Sequence, residues 1–132
     1  MIPVRLAPHV YTLLRIVAAF LFMLHGLQKL FGVLGGNVVP LMSMLGVAGL
    51  IETIAGALIL LGLFTRPAAF IASGEMAAAY FLAHQPRGPL PLRNAGEPTV
   101  LLCFIFLYVA SRGAGPFSID ALRTTSRKSS TA

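Results

Sequence analysis

The sequence predicts an all-α integral membrane protein, a four-helix bundle with both its N- and C-termini in the cytoplasm. Of the 132 residues, 57% are hydrophobic and only 11% are charged, and the mean hydropathy is +0.85. Apolar stretches recur four times between connections rich in glycine and proline. This composition is far more apolar than that of an ordinary soluble domain. We therefore expect lipid to surround most of the chain.

The four predicted spans cover residues 10–31, 41–64, 68–84 and 98–111. The first carries ionisable side chains within its apolar stretch, unlike a cleavable signal peptide, so we expect it to be retained. The connection Thr65–Pro67 is so short that the second and third spans must be antiparallel neighbours. The chain is predicted to consist of a transmembrane domain over residues 1–122 and a basic, Ser/Thr-rich cytoplasmic tail over residues 123–132.

The distribution of Lys and Arg predicts the orientation. With four spans, the N-terminus, the middle connection and the C-terminus share one side of the membrane. That side carries Arg5, Arg66, Arg112, Arg123, Arg127 and Lys128. The loops of the opposite side carry only Arg87 and Arg93, so the basic side is cytoplasmic. The formal net charge of +6 is then explained by attraction to anionic membrane lipid, and no nucleic-acid partner is expected.

Several ionisable residues fall inside the predicted spans, among them Arg15, Glu52 and Glu75. A charge at the bilayer centre costs at least about 2.5 to 3.5 kcal/mol, so such groups pair with each other or face a cavity. We expect Arg15, Glu52 and Glu75 to form intramembrane ion pairs, with Arg15 as the partner of one carboxylate. Structural pairing and a role in proton movement both stay open for them.

A second polar cluster is predicted near the outer ends of the first and third spans and in the loop before the fourth. Its members are His25, Gln28, Lys29, His84, Asn94 and Glu97. Donors and proton acceptors of these types can hold a polar ring or an anion. The same residue types also occur where side chains simply extend from the membrane interface to water, so both interpretations stay open.

The sequence predicts no intrinsic cofactor and no metal site. It contains no HExxH, GxxxxGK[ST] or GxGxxG motif and no nucleophile elbow. Two histidines at similar depth could ligate haem, but no further haem signature accompanies them, so haem is not expected. Cys103 is the single cysteine, which excludes an internal disulfide and a CxxC redox pair. No catalytic residue can be named from these patterns.

Several short segments, taken in order, carry a family resemblance. They are HGLQKLFG at residues 25–32, Glu52, GLFTRPAA at 62–69, NAGE at 94–97 and GAGPFSID at 113–120. Their combination resembles the DoxX family of small bacterial membrane proteins over about residues 10–122. The resemblance implies a four-helix, multi-pass protein of the bacterial cytoplasmic (inner) membrane.

The resemblance also implies a redox role. The family is named after a subunit associated with archaeal thiosulfate or quinol oxidation, and some members are linked to membrane oxidoreductase complexes and to redox stress. On this resemblance the family-like polar positions are His25, Lys29, Glu52, Asn94 and Glu97. It does not say which of them takes part in chemistry.

Three functions compete at this point. The leading hypothesis is a membrane subunit of a quinone-linked oxidoreductase, which holds a quinone head group near His25 and Glu97 while a redox partner protein supplies the electrons. The second is a small proton-coupled transporter or channel that uses Glu52 and Glu75, for which so short a chain needs a homo-oligomer or a narrow pore. The third is a non-catalytic scaffold that recruits soluble redox enzymes through its tail. Whether the chain is itself an enzyme stays open.

Overall fold

A computed structural model describes residues 3–129, and within that range all regular structure is helical. The α-helices are α1 (Ala7–Phe31), α2 (Met44–Leu61), α3 (Thr65–Ala79), α4 (Pro91–Asn94), α5 (Glu97–Arg112) and α6 (Ile119–Ser129). A π-helical turn, Tyr80–His84, continues α3. Short 3-10 turns occupy Val4–Leu6, Val33–Gly35 and Gln85–Arg87. The all-α prediction is therefore confirmed.

The helices differ from the predicted spans mainly at their ends. The second span starts at Met44 rather than at residue 41, because the Ser43 side chain accepts a hydrogen bond from the Gly46 N–H at 3.1 Å and caps the helix. It ends before Gly62, whose φ of 69° suits glycine. Most of the predicted tail forms α6, which the sequence did not indicate; residues 130–132 lie outside the described residues.

The third helix begins within the expected connection because Asp120 of α6 caps it. The backbone N–H groups of Phe64 and Thr65 each donate to the Asp120 carboxylate at 3.0 Å. Partial burial alone would raise the pKa of Asp120, but these hydrogen bonds outweigh it and hold the pKa below its ordinary value. The cap thus fixes α6 against the turn between α2 and α3.

Four helices contribute to one apolar core. α1 packs against α2, α2 against α3, and α3 against α5, while α1 also touches α5. The rings of Phe22 and Phe106 meet edge to face, with their centroids 4.8 Å apart. Both are fully buried, as are Ile59 and Ala72. Small side chains on α3 let α5 approach closely, as is common between membrane helices.

Glycines set the distance between α1 and α2. A Cβ atom added to Gly26 would lie 2.6 Å from the carbonyl oxygen of Gly49 and 2.6 Å from the backbone nitrogen of Thr53. A Cβ added to Gly56 would lie 2.8 Å from that of Met23. The two backbones therefore come close enough for short-range side-chain contacts near this crossing.

The outer faces of the helices are strongly apolar. Large hydrophobic side chains such as Leu13, Ile54, Phe70 and Phe104 are more than half exposed. Among the described residues, two helices are long and apolar enough to cross a membrane: the segment Val4–Phe31, which includes α1, and α2. Apolar surface of this extent is expected of a protein that is solvated by lipid.

The close crossing of α1 and α2 predicts a strong effect of one methyl group. Gly26→Ala should lower the free energy of unfolding by about 1 to 3 kcal/mol, because the added Cβ meets backbone atoms that cannot move aside alone. The measurement is thermal unfolding in mild detergent. Gly74→Ala is the matched control, since its Cβ would meet nothing within 4 Å. Equal melting temperatures for the two variants would contradict this account of the crossing.

Candidate functional site

A cavity of about 550 Å³ opens where the C-terminal parts of α1 and α3 meet the N-terminal parts of α2 and α5. Its walls are largely apolar, with Ile51, Met76 and Leu102 among them. Five of its lining residues are ionisable: His25, Lys29, Glu52, Glu75 and His84. An apolar cavity of this volume with a few convergent polar groups is typical of small-molecule sites.

Lys29 and Glu52 form an ion pair across the α1–α2 contact. The Lys29 ammonium donates to Glu52 Oε1 at 2.6 Å. The Glu52 side chain is 2% exposed, whereas that of Lys29 is 27% exposed. A charge-assisted hydrogen bond of this length compensates part of the cost of burying a carboxylate. The pair thus fixes the position of Glu52 at the wall of the cavity.

Two carboxylate oxygens in the cavity wall are buried without partners. Neither Glu52 Oε2 nor Glu75 Oε2 has a hydrogen-bond partner among residues 3–129. Most buried polar atoms are hydrogen-bonded, and leaving one unpaired typically costs about 1 to 3 kcal/mol. The two oxygens can therefore accept hydrogen bonds or protons from a molecule that enters the cavity.

The π-helical turn orients His84 at the edge of the cavity. Its Nδ1 lies 3.1 Å from the backbone oxygen of Asn94, and its Nε2 lies 3.3 Å from the Thr99 hydroxyl. Because a carbonyl oxygen can only accept, Nδ1 is the donor, and Nε2 of a neutral ring accepts from Thr99. These contacts tie the end of α3 to the start of α5. Such π-helical turns occur frequently at functional sites.

The expected outer cluster is only partly assembled. His25, Lys29 and His84 share the cavity, as the sequence analysis expected, but Asn94 and Glu97 are not among the described residues that line it. Asn94 is buried in its own loop, where its side-chain amide donates to the Gly88 carbonyl at 2.7 Å. Glu97 is exposed at the first position of α5.

One further predicted residue of the outer cluster, Gln28, lies elsewhere. The Gln28 side chain packs against Gly36 in the connection after α1 and is not among the described lining residues of the cavity. Helical periodicity places Gln28 next to His25 on α1, but the fold of the following loop decides which of the two faces the cavity.

Arg15 does not contact a carboxylate of the spans. Its guanidinium donates to the Ile59 carbonyl and to the Phe117 carbonyl, each at 2.8 Å, although the side chain is only 1% exposed. Ile59 lies in the last turn of α2, where the helix dipole presents negative potential. The expected pairing of Arg15 with Glu52 or Glu75 is therefore replaced by Lys29–Glu52 and by backbone capping.

The sequence analysis did not place Glu75 beside His25 and Lys29. It expected Glu75 near mid-membrane, either in a structural ion pair or with Glu52 in a proton pathway, and the structure places it in the wall of the same cavity as His25 and Lys29. Glu52 and Glu75 lie on different helices, and the periodicity of one helix does not show which residues of another helix it meets. Only the antiparallel packing of α2 and α3 brings the two carboxylates to one wall.

Comparison with known proteins identifies the family. The DoxX family model matches residues 10–85, which include His25, Lys29, Glu52, Glu75 and His84. The chain belongs to the DoxX family. It is also similar to an uncharacterized protein of Haemophilus influenzae, with 45% identity over 120 residues that cover 86% of this chain and 90% of the relative. No solved structure matches the chain.

Membership of the DoxX family agrees with the exposed apolar faces and the two helices of membrane-spanning length. The chain is thus a membrane-associated, all-helical DoxX protein. The matched region ends at residue 85, so it contains the ionisable residues of the cavity but neither α5 nor α6.

The buried ion pair predicts a different result for one substitution than for two. Lys29→Met should lower the free energy of unfolding by about 1 to 3 kcal/mol, less than a fully buried pair would because the ammonium is partly exposed. Lys29→Met combined with Glu52→Leu should recover most of this loss, since no buried charge is left unpaired. Thermal unfolding in detergent measures both. A double variant less stable than the single variant would contradict the pairing.

Proposed function

We propose that this DoxX protein is a membrane subunit of a quinone-linked oxidoreductase and that the cavity between α1, α2, α3 and α5 holds the quinone head group. The proposal rests on the residues that meet in one apolar cavity. His25 and Lys29 can donate hydrogen bonds there, and Glu52 and Glu75 each present one carboxylate oxygen without a partner among the described residues. A quinone is an apolar ring with two polar carbonyl oxygens, and it reaches such a site through the lipid.

The donors of the cavity suit the oxidised ligand. A quinone carbonyl oxygen accepts hydrogen bonds, and both the His25 ring and the Lys29 ammonium can donate them. Lys29 keeps further N–H groups after its bond to Glu52. The apolar side chains of the other walls, including Ile51 and Leu102, would cover the faces of the ring.

The acceptors of the cavity suit the reduced ligand. Oxidation of a quinol releases two protons and two electrons, so a quinol site needs groups that take up protons. Glu52 Oε2 and Glu75 Oε2 each provide a free acceptor position in the cavity wall. The sequence contains no flavin or metal motif, so the electrons would pass to a redox partner protein bound to the membrane subunit.

A proton-coupled transporter is the second candidate. The same two carboxylates favour it, because ionisable groups that share an intramembrane cavity are typical of proton pathways. The two candidates differ in their ligand. The first requires that the cavity bind a quinone ring, while the second requires proton movement that is independent of quinone.

We further propose that four helical segments cross the inner membrane as one bundle, with both termini cytoplasmic. α3 continues through the π-helical turn, so Thr65–His84 is one helical run of about 30 Å at roughly 1.5 Å per residue. α5 is shorter, and its terminal residues Glu97 and Arg112 can extend to the interfaces. In this orientation the cavity lies in the outer half of the membrane and α6 on the cytoplasmic side.

The quinone site predicts that His25→Ala weakens the binding of a quinone analogue and that Glu75→Gln weakens the binding of a quinol analogue, each by about tenfold. The first variant removes a hydrogen-bond donor, and the second replaces a carboxylate acceptor by a weaker neutral amide. Binding is measured by titration calorimetry on the purified protein in mild detergent. Melting temperatures and size-exclusion profiles show that the variants are folded.

Glu97→Gln is the matched control, since it neutralises an exposed glutamate outside the described lining of the cavity. It should bind both analogues like the parent. The proposal is wrong if His25→Ala and Glu75→Gln both bind like the parent. Proton uptake into liposomes that does not need quinone would then favour the transporter.

The proposed topology predicts the result of reporter fusions. Fusions after Arg66 and after Asp120 should report a cytoplasmic location, and insertions at residues 35–36 and 89–91 should report an external one, because the basic segments stay inside. Alkaline phosphatase and fluorescent protein fusions give opposite signals and check each other. An external signal after Asp120 would reverse the orientation.

A further inference from the structure

A second concave surface lies at the end of the molecule opposite the cavity. It is a wide groove of about 1230 Å³ between the start of α3, the end of α5 and the exposed side of α6. Four arginines line it: Arg66, Arg112, Arg123 and Arg127. Among the described lining residues, Asp120 is the acidic one. We call this surface the arginine groove.

Arg66 is held by the end of α5. Its guanidinium donates to the Ser111 carbonyl at 2.8 Å and lies 3.4 Å from the carbonyl oxygens of Ala110 and Arg112. Gly113 permits this approach, because a Cβ there would lie 3.1 Å from Arg66 Nε. The positive charge of Arg66 is therefore fixed in position at the rim of the groove and remains exposed.

Arg112 and Arg123 are positioned by aromatic rings. The Arg112 guanidinium carbon lies 4.8 Å from the centroid of the Tyr11 ring, and the Arg123 guanidinium carbon lies 4.8 Å from the centroid of the Phe64 ring. Stacking of this kind uses the flat face of a guanidinium and leaves N–H groups at its edge for other acceptors. Arg112 Nη1 donates to the Tyr108 hydroxyl at 3.3 Å, so an anion would be bound by the other N–H groups of Arg112. Both side chains are exposed.

The single carboxylate of the groove is already committed. Asp120 accepts the N–H groups of Phe64 and Thr65 at the start of α3. One carboxylate does not balance three prearranged arginines, so the groove keeps an excess of positive charge. An anion with several acceptor oxygens matches this arrangement, because a guanidinium binds phosphate oxygens with two parallel hydrogen bonds.

Apolar side chains next to the arginines indicate where the anion comes from. Phe64 lines the groove and is 54% exposed. Leu122 precedes Arg123 on α6, is 71% exposed, and is not among the described lining residues. A soluble phosphate would gain nothing from such neighbours, whereas a lipid places an acyl chain beside its phosphate. The groove also lies at the end of the helices that carries most of the basic loop residues.

We propose that the arginine groove is a built site for the phosphate group of one anionic phospholipid, held by Arg66, Arg112 and Arg123 with an acyl chain against Phe64. This goes beyond a general attraction of the basic tail to the membrane, because three segments of the fold position the charges. It is independent of the quinone site at the other end.

Native mass spectrometry of the full-length protein in neutral detergent tests the site, with phosphatidylglycerol and phosphatidylcholine as probes. The parent should retain one phosphatidylglycerol per chain in preference to phosphatidylcholine. Arg112→Gln with Arg123→Gln should weaken phosphatidylglycerol binding by about 25-fold, or roughly fivefold for each basic residue at a membrane surface. Arg123→Gln alone should weaken phosphatidylglycerol binding by about fivefold. This single variant tests the site if the double variant is unstable.

The matched control is Arg87→Gln with Arg93→Gln, which removes the same charge from exposed positions outside the described lining of the groove. It should bind phosphatidylglycerol like the parent. Equal weakening by both double variants would overturn the built site in favour of a diffuse electrostatic effect. Displacement of the lipid by about 10 mM inorganic phosphate would overturn the lipid assignment. Phosphate at this concentration saturates weak phosphate sites, but it should not displace a headgroup that is also anchored by acyl chains.

Discussion

The ion pair between Lys29 and Glu52 links the packing of the first two helices to the properties of the cavity. It forms because Gly26 and Gly49 let the two backbones approach closely, which brings the Lys29 ammonium to 2.6 Å from the carboxylate. Without that contact, Glu52 would be a nearly fully buried charge in an apolar protein, which is costly. With it, one carboxylate oxygen is satisfied and the other is left for the cavity.

Two other buried polar side chains, those of Arg15 and Asn94, form hydrogen bonds with backbone groups. Arg15 is balanced by carbonyl oxygens at the end of α2 and in the segment before α6. The Asn94 side chain forms hydrogen bonds with backbone groups of the loop before α5: it donates to the Gly88 carbonyl and accepts from the Gly96 N–H at 2.8 Å. Arg15 Nε, like Glu52 Oε2 and Glu75 Oε2, has no hydrogen-bond partner among the described residues. The two carboxylates differ from Arg15 because they line a cavity that a ligand can enter.

The helices could be predicted from the sequence because apolar stretches of sufficient length alternate with glycine and proline. The residues of the cavity were only partly predictable. Periodicity places His25 and Lys29 on one face of α1, and both line the cavity. It could not show that Glu75 rather than Glu97 would face them, because helix rotation and loop conformation are tertiary properties.

Hydrogen bonds between side chains and backbone groups could not be predicted from the sequence. The expectation that Arg15 would pair with a carboxylate rested on charge alone, and a pattern of side chains does not show where a helix presents its terminal carbonyl groups. The same holds for α6, whose position depends on the cap that Asp120 provides for α3. The family resemblance was confirmed over residues 10–85, which is the part that carries the ionisable residues of the cavity.

The most direct test of the central claim is to locate a bound quinone on the chain. A photoreactive quinone, irradiated with the full-length protein in membranes and followed by peptide mapping, should label segments that line the cavity, namely residues 25–29, 44–52 and 75–84, and excess unlabelled quinone should suppress the labelling. Labelling confined to lipid-facing positions such as Phe70 and Phe104, or unaffected by competitor, would contradict a quinone site between these helices.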